Sequence, residues 1–194
     1  MNLVGIDPGI TGALAWWNYG TVHQIVDMPV FDGRVSGRDI KEWLGDCWGP
    51  DVVYLEWTHP MPKNGSIASY SLGLNSGIVI GVVQALGIPL ERVRPAAWKL
   101  AMGLRGKDKS ASRGMATELF PEHAAMFRRV KDDGRAEAAL IARYGAYQNI
   151  HNAMTGGDDN EEIGSVSDLW GSRTRHPAGT VAARSDGKAQ GADS

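Results

Sequence analysis

The sequence predicts an α/β fold in which a mixed five-stranded sheet is flanked by helices. Three short apolar segments separated by tight turns open the chain, a pattern typical of an antiparallel meander. Strand-like and helix-like segments then alternate, as expected for parallel crossover connections. Acidic residues directly follow two of the predicted strands, which places candidate chemistry at one edge of the sheet.

The first three strands are predicted at residues 3–6, 13–17 and 21–28. Turns rich in glycine, proline and asparagine separate them, at residues 8–12 and 18–20. Because such short connections join neighbouring antiparallel strands, we expect these three segments to form one meander.

A helix and a fourth strand come next. Ser36 is a good N-cap for a helix that runs to about Cys47. The strand covers residues 51–56, and its centre is an unbroken apolar run. Such a run indicates burial on both faces and therefore parallel pairing.

A long helix is predicted from Ser66 to Leu86, with Gly73, Gly77 and Gly81 on one face. Each glycine costs roughly 1 kcal/mol relative to alanine inside a helix. This cost is understandable if another backbone approaches the stripe closely. The approaching element could be the protein's own sheet or a second copy of the chain, and the sequence leaves both open.

The remaining predicted elements are a strand at 90–94, a helix at 95–104, a helix capped by Ser110 that ends at Leu119, and a last helix that opens at Asp132 or Asp133 and runs through Tyr144. The complete order matches the layout of a ribonuclease-H-like domain.

We therefore predict a nuclease-type domain over residues 1–149. Residues 150–194 are polar and predict a disordered tail.

Composition narrows the functional class. The chain has 194 residues and a formal net charge of −2, and its single cysteine excludes an internal disulfide. Asp7 interrupts the N-terminal apolar run, so no secretory signal is expected. The longest apolar stretch, residues 78–90, is too short to span a bilayer. We expect a cytoplasmic protein with no membrane partner, in a bacterial or bacteriophage-infected cell.

Basic residues are concentrated in one block, residues 94–113, which holds six lysines and arginines against one acid. Such a block can attract a phosphate backbone even when the chain as a whole is slightly acidic. The sequence therefore permits a nucleic-acid partner.

Four acids are candidates for one catalytic centre. Asp7 and Glu56 each end a predicted strand, while Asp133 and Glu137 lie four residues apart on one face of the last helix. Gathered carboxylates repel one another unless cations compensate them, and their hard oxygens suit Mg²⁺ or Mn²⁺. Two such ions about 3.5–4 Å apart can hydrolyse a phosphodiester.

The ordered motifs resemble those of the RuvC-type Holliday junction resolvases. They are GIDPG at 5–9 with TG at 11–12, YLE at 54–56, and Asp133 to Glu137 leading into AALIA at 138–142. Shorter matches are Lys63-Asn64, Leu72-Gly73 and KDKS at 107–110. The likeness covers residues 3 to about 145 in the same order.

This resemblance implies a homodimer that cuts four-way DNA junctions symmetrically with two Mg²⁺ or Mn²⁺ ions, leaving 5′-phosphate and 3′-hydroxyl ends. It implies that Asp7 bridges the ions, that Glu56 binds one, and that the last-helix acids complete the site. Lys109 matches a lysine near the scissile phosphate. The DNA-contacting residues implied by the resemblance and the basic block are Lys63, Asn64, Lys99, Arg105, Lys107 and Lys109.

One departure from the family pattern concerns the last helix. The family has two aspartates three residues apart, whereas here Asp133 and Glu137 are four apart, and Asp132 could take the place of Asp133. Two alternatives to junction resolution also stay open. One is a nuclease for other branched DNA, such as forks or flaps, and the other is a non-catalytic DNA-binding relative.

Overall fold

The computed structural model describes residues 1–58 and 65–155. The strands are β1 (Leu3–Asp7), β2 (Ala13–Asn18), β3 (Thr21–Asp27), β4 (Val30–Phe31), β5 (Arg34–Val35), β6 (Val52–Glu56) and β7 (Leu90–Val93). The helices are α1 (Gly37–Asp46), α2 (Ser66–Ala85), α3 (Pro95–Ala101), α4 (Lys109–Leu119) and α5 (Asp133–Thr155). Two 3₁₀ helices, Pro121–Phe127 and Val130–Asp132, precede α5.

The main sheet has five strands in the order β3-β2-β1-β6-β7. The first three are antiparallel, and β6 and β7 continue the sheet in parallel with β1. This confirms the predicted mixed sheet and the predicted parallel pairing of the fourth main-sheet strand. Because Ile6 pairs with Leu55 in register, Asp7 and Glu56 follow adjacent parallel strands at the same edge.

Helices cover both faces of this sheet, with α5 on one face and α1 and α2 on the other. A glycine in β1 sets how closely α5 approaches. A Cβ at Gly5 would lie 2.4 Å from the backbone nitrogen of Ala142 and 2.5 Å from the carbonyl oxygen of Ala138. The helix backbone therefore rests directly on β1, which brings the first turns of α5 beside the strand acids.

A second close contact fixes the start of α5. A Cβ at Gly134 would lie 2.4 Å from the carbonyl oxygen of Thr11, in the turn that follows Asp7. Both contacts need residues without a Cβ, because backbone atoms on the other side cannot move aside cheaply. The two glycines thus hold α5 against both β1 and its turn.

Several predicted boundaries differ from the structure. Asp108 caps α4 in place of Ser110, and its side chain accepts a 3.2 Å hydrogen bond from the backbone nitrogen of Ala111. The helix predicted at 95–104 ends at Ala101, because the chain turns at Gly103 with a φ of +65°. The small ribbon of β4 and β5 was not predicted, since two-residue strands carry almost no periodic signal.

The glycine stripe of α2 does not pack on the protein's own sheet, so that alternative is wrong. Gly73, Gly77 and Gly81 are exposed, and a Cβ at any of them would meet nothing within 4 Å. The buried side of α2 carries instead Asn75, Ser76, Val79 and Val83. Contact with a second copy of the chain remains the prediction for this stripe.

By length and composition alone, α2 is also long and apolar enough to cross a membrane. The expectation that no segment could span a bilayer rested on the shorter apolar stretch at 78–90. In the described part of the chain, however, Val79 and Val83 of α2 belong to the core that covers the sheet. A single apolar helix of this kind is weak evidence for a membrane span.

The predicted boundary between domain and tail lies inside a helix. It was placed between residues 149 and 150, but α5 continues to Thr155. The predicted tail from 156 to 194 lies outside the described residues, as do Lys63 and Asn64.

Candidate active site

Asp7 ends β1 and enters a tight turn. The turn leaves no room for a side chain at Gly12, where a Cβ would lie 2.1 Å from the carbonyl oxygen of Asp7. The backbone nitrogen of Gly9 donates to Asp7 Oδ1 over 3.5 Å. Burial, followed by the nearby charges of Glu56 and Glu137, raises the pKa of Asp7 to about 7.

Glu56 ends β6 and is almost fully buried, with 8% of its surface exposed. Its Oε1 accepts a 2.9 Å hydrogen bond from the indole nitrogen of Trp98, a wholly buried residue of α3. Burial raises the pKa of Glu56, the Trp98 hydrogen bond opposes that rise, and the charge of Glu137 adds to it. The carboxylate is therefore oriented by a neutral donor and sits in a field of like charge.

Glu137 lies one turn into α5 and is also buried. Lys99 of α3 holds it through a 3.0 Å ion pair between Nζ and Oε1. Because the charge of Glu137 raises the pKa values of both Asp7 and Glu56, these three acids form one electrostatic cluster. The structure thus brings together the two predicted strand acids and one predicted helix acid.

Asp133, the fourth predicted acid, begins α5 and is engaged by cations of α4. Arg113 Nη1 forms an ion pair with Asp133 Oδ1, and Lys109 Nζ lies 4.0 Å from Oδ2. The side chains of Asp133 and Arg113 are both mostly buried. Asp133 is therefore tied to α4 at the border of the cluster.

Asp132, which the sequence left open as a ligand in place of Asp133, is held by two arginines. Its carboxylate accepts a 2.8 Å hydrogen bond from the backbone nitrogen of Arg129 and pairs with the guanidinium of the same residue. A second arginine, Arg135, lies 3.5 Å away. These contacts make Asp132 a capping residue of the 3₁₀ turn and account for its burial.

The predicted DNA-contacting lysines and arginines divide into two groups. Arg105, Lys107 and Lys109 are exposed, in the turn before α4 and at its first residue. Lys99 is instead only partly exposed and engaged with Glu137. The exposed group presents its charges to solvent, whereas Lys99 pairs with an acid of the cluster.

The donor chemistry of the cluster suits a divalent cation. Asp7, Glu56 and Glu137 offer only carboxylate oxygens, and burial, followed by the charges of the other two acids, raises the pKa of Asp7. In residues 1–58 and 65–155, no three acidic, histidine or cysteine side chains are already arranged to hold a metal ion. The three acids therefore suit a divalent cation by the type of their ligand atoms and by the repulsion that such an ion would relieve.

The architecture is shared with solved structures of junction resolvases. Thermus thermophilus RuvC in complex with a Holliday junction substrate superposes with a TM-score of 0.55, at 18% identity over 76% of this chain and 96% of that chain. The yeast mitochondrial Holliday junction resolvase gives 0.52, at 16% identity over 79% and 82%. The chain therefore has the ribonuclease-H-like fold of the RuvC-type resolvases.

A curated relative agrees with this fold and with the resemblance seen in the sequence. The chloroplast Holliday junction resolvase MOC1 of Chlamydomonas reinhardtii is 35% identical over 92 residues, which are 47% of this chain. The matched part is 10% of that relative's own length. No protein-family model matches the chain.

Sequence reasoning missed two residues of the site. Trp98 orients Glu56 but has no assigned role in the sequence analysis, and Arg113, which pairs with Asp133, enters there only as part of the basic block. No local signal in the sequence pointed to Trp98, because adjacent residues of a helix face different directions. For Arg113 the signal was a turn-length spacing from Lys109, which puts both on one face of α4.

Proposed function

We propose that this protein is a metal-dependent endonuclease that resolves four-way DNA junctions. The observation that carries the proposal is the cluster that Glu137 of α5 forms with Asp7 and Glu56, which end two adjacent parallel strands. Its support comes from the fold shared with RuvC and from sequence similarity to a chloroplast Holliday junction resolvase.

In the proposed mechanism, Asp7, Glu56 and Glu137 would hold the divalent cations through their carboxylate oxygens. Bound Mg²⁺ or Mn²⁺ supplies Lewis acidity toward the attacking water and the leaving oxygen of the phosphodiester. Trp98 holds one oxygen of Glu56 through a hydrogen bond, which restricts the orientation of the carboxylate. In-line attack of water then leaves 5′-phosphate and 3′-hydroxyl ends.

The chain's basic residues position the DNA in this proposal. Lys109 is exposed and stands at the border of the acidic cluster, 4.0 Å from Asp133. It can therefore contact a phosphate next to the cut bond. Arg105 and Lys107 extend the same positive surface, which suits recognition of a branched duplex by its backbone rather than its bases.

We propose further that two copies of the chain pair through α2. Its exposed face carries the glycine stripe together with Ile67, which is 84% exposed, and Tyr70. Helices with glycines on a common face can approach closely and bury such apolar side chains. A two-fold pair would present two active sites, as symmetric cutting of a junction requires.

The decisive experiment compares labelled four-way, three-way, flap and linear DNA, with and without Mg²⁺ or Mn²⁺. The proposal expects metal-dependent cutting of the four-way junction at symmetric positions on two strands. Preferred cutting of forks or flaps would show that the substrate is another kind of branched DNA. Binding without cutting under any metal condition would identify a non-catalytic DNA-binding protein.

A further inference from the structure

The two acids of α5 differ from the two strand acids in the kind of group that contacts their carboxylates. Asp133 and Glu137 are each paired with a cation from a neighbouring helix, Arg113 of α4 and Lys99 of α3. The strand acids Asp7 and Glu56 instead accept hydrogen bonds from neutral donors. Within the described residues, the ion pairs of this site therefore lie on the α5 acids.

Arg113 is the cation best shielded from water. Its side chain is 16% exposed and that of Asp133 is 17% exposed, whereas Lys109 is 70% exposed and stands farther away. A shielded ion pair is screened less by solvent and salt than an exposed one. Arg113 is therefore the principal counter-charge of Asp133.

This pairing competes with a metal ion for the same carboxylate. The guanidinium donates to Asp133 Oδ1, and Lys109 approaches Oδ2, so both oxygens already face cations. A divalent cation needs carboxylate lone pairs at direct contact distance. While Asp133 is held in this arrangement, the guanidinium occupies Oδ1 and two positive charges oppose the approach of a cation to either oxygen.

We propose that Arg113 is a positioning residue that occupies Asp133 in the metal-free protein and releases it when a divalent cation binds. The inference deepens the proposed function, because it takes Asp133 to be a late-joining ligand of the nuclease centre. The released guanidinium stays beside Lys109 on α4, where it can turn to a DNA phosphate. Metal binding and phosphate binding then support each other.

The first test titrates Mn²⁺ into the DNA-free protein, followed by electron paramagnetic resonance. Arg113→Gln should bind Mn²⁺ roughly five- to tenfold more tightly than wild type. A change of this size in the binding constant is what the loss of one partly buried ion pair produces. Arg113→Lys keeps the charge and should stay within about twofold of wild type. Adding Asp133→Asn to Arg113→Gln should remove the gain.

A matched control separates this effect from a general change in charge. Arg129→Gln removes the same charge from the neighbouring Asp132, outside the cluster, and should leave Mn²⁺ affinity unchanged. Unchanged or weaker Mn²⁺ binding by a folded Arg113→Gln protein would overturn the inference. A gain that persists with Asp133→Asn, or that appears equally in the control, would overturn it as well.

Wild-type protein provides a test that does not depend on the variant folding. The guanidinium NMR signal of Arg113, assigned by its loss in Arg113→Lys, should shift toward that of a solvated arginine as Mg²⁺ is added. A signal unaffected by saturating Mg²⁺ would overturn the inference. Neither test uses DNA cleavage, so a protein that passes them but never cuts junctions refutes the proposed function alone.

Discussion

The indole nitrogen of Trp98 donates a 2.9 Å hydrogen bond to Glu56 Oε1, and both residues are buried. A neutral donor beside a buried carboxylate favours its charged form and fixes its direction. Glu56 is thus held ready for a cation by a residue that has no charge of its own.

Replacing Trp98 with phenylalanine should weaken the site through this contact. The ring volume is largely kept, but Glu56 loses its donor, so its pKa rises further and its orientation loosens. We expect a loss of about 1–3 kcal/mol in the free energy of unfolding and a roughly tenfold lower Mn²⁺ affinity. Chemical denaturation and Mn²⁺ titration measure the two effects.

Trp43→Phe is the matched control for this change. The Trp43 indole donates a 3.1 Å hydrogen bond to Gln24 at an exposed position outside the acidic cluster. It should leave Mn²⁺ affinity as in wild type. Equal affinities for all three proteins would show that Trp98 is only a core residue.

The pH dependence of stability without metal should reveal the charge of Asp7. Its pKa is raised from 3.8 to about 7 in the folded protein, so the folded state binds the proton more tightly than the unfolded state. Stability is therefore highest below about pH 4 as far as this group is concerned, and it falls as the pH rises through about 7. The loss is on the order of 4 kcal/mol at most.

Asp7→Asn should remove this part of the pH dependence. In excess EDTA, denaturation at pH 5 and pH 8 should show a smaller drop in the free energy of unfolding for the variant than for wild type. An identical drop in both proteins would mean that Asp7 is charged in the folded protein throughout this range.

Gly77→Leu should disturb self-association. The position is exposed and open, so leucine does not strain the isolated chain, but its side chain would separate two α2 helices that pack through the stripe. Sedimentation should show a shift from dimer to monomer. Gly45→Leu, at an open and exposed position of α1, is the control and should leave the dimer intact.

An unchanged sedimentation coefficient for Gly77→Leu would place the interface elsewhere. A monomeric wild-type protein at micromolar concentration would contradict pairing through α2 altogether.

Gly5→Ala tests whether α5 must touch β1 to complete the site. The added Cβ would lie 2.4–2.5 Å from backbone atoms of Ala138 and Ala142, so the helix must shift away from the strand. Such overpacking typically costs about 1–3 kcal/mol. We expect that loss in chemical denaturation and weaker Mn²⁺ binding, because Glu137 moves with the helix. Wild-type values for both would contradict the close contact.

The order of strands and helices was predictable from the sequence because alternation and turn residues are local signals. The meeting of Asp7 and Glu56 followed from that order, since the ends of adjacent parallel strands share an edge. The partners of the acids were not predictable in this way. Trp98 and Arg113 reach the acidic cluster because α3 and α4 pack beside α5. That tertiary packing is not encoded in any local sequence pattern.

The packing partners of the glycines were also not predictable from the sequence. The α2 stripe and Gly5 looked alike as sequence features, yet Gly5 faces a helix backbone and the stripe faces open space. A glycine indicates that another element can approach closely, but which element does so depends on the assembled layers. The arginines that surround Asp132 were likewise not foreseeable from the sequence.

The most direct test of the central claim is cleavage of a four-way junction by wild type and by Asp7→Asn, with Mg²⁺ and with EDTA. Asp32→Asn, at an exposed turn with positive φ that asparagine tolerates, is the control. Wild type and control should cut symmetrically with Mg²⁺ only, while Asp7→Asn binds the junction and cuts at least about a thousandfold more slowly. Cutting by Asp7→Asn near the wild-type rate, or wild-type cutting in EDTA, would contradict the account.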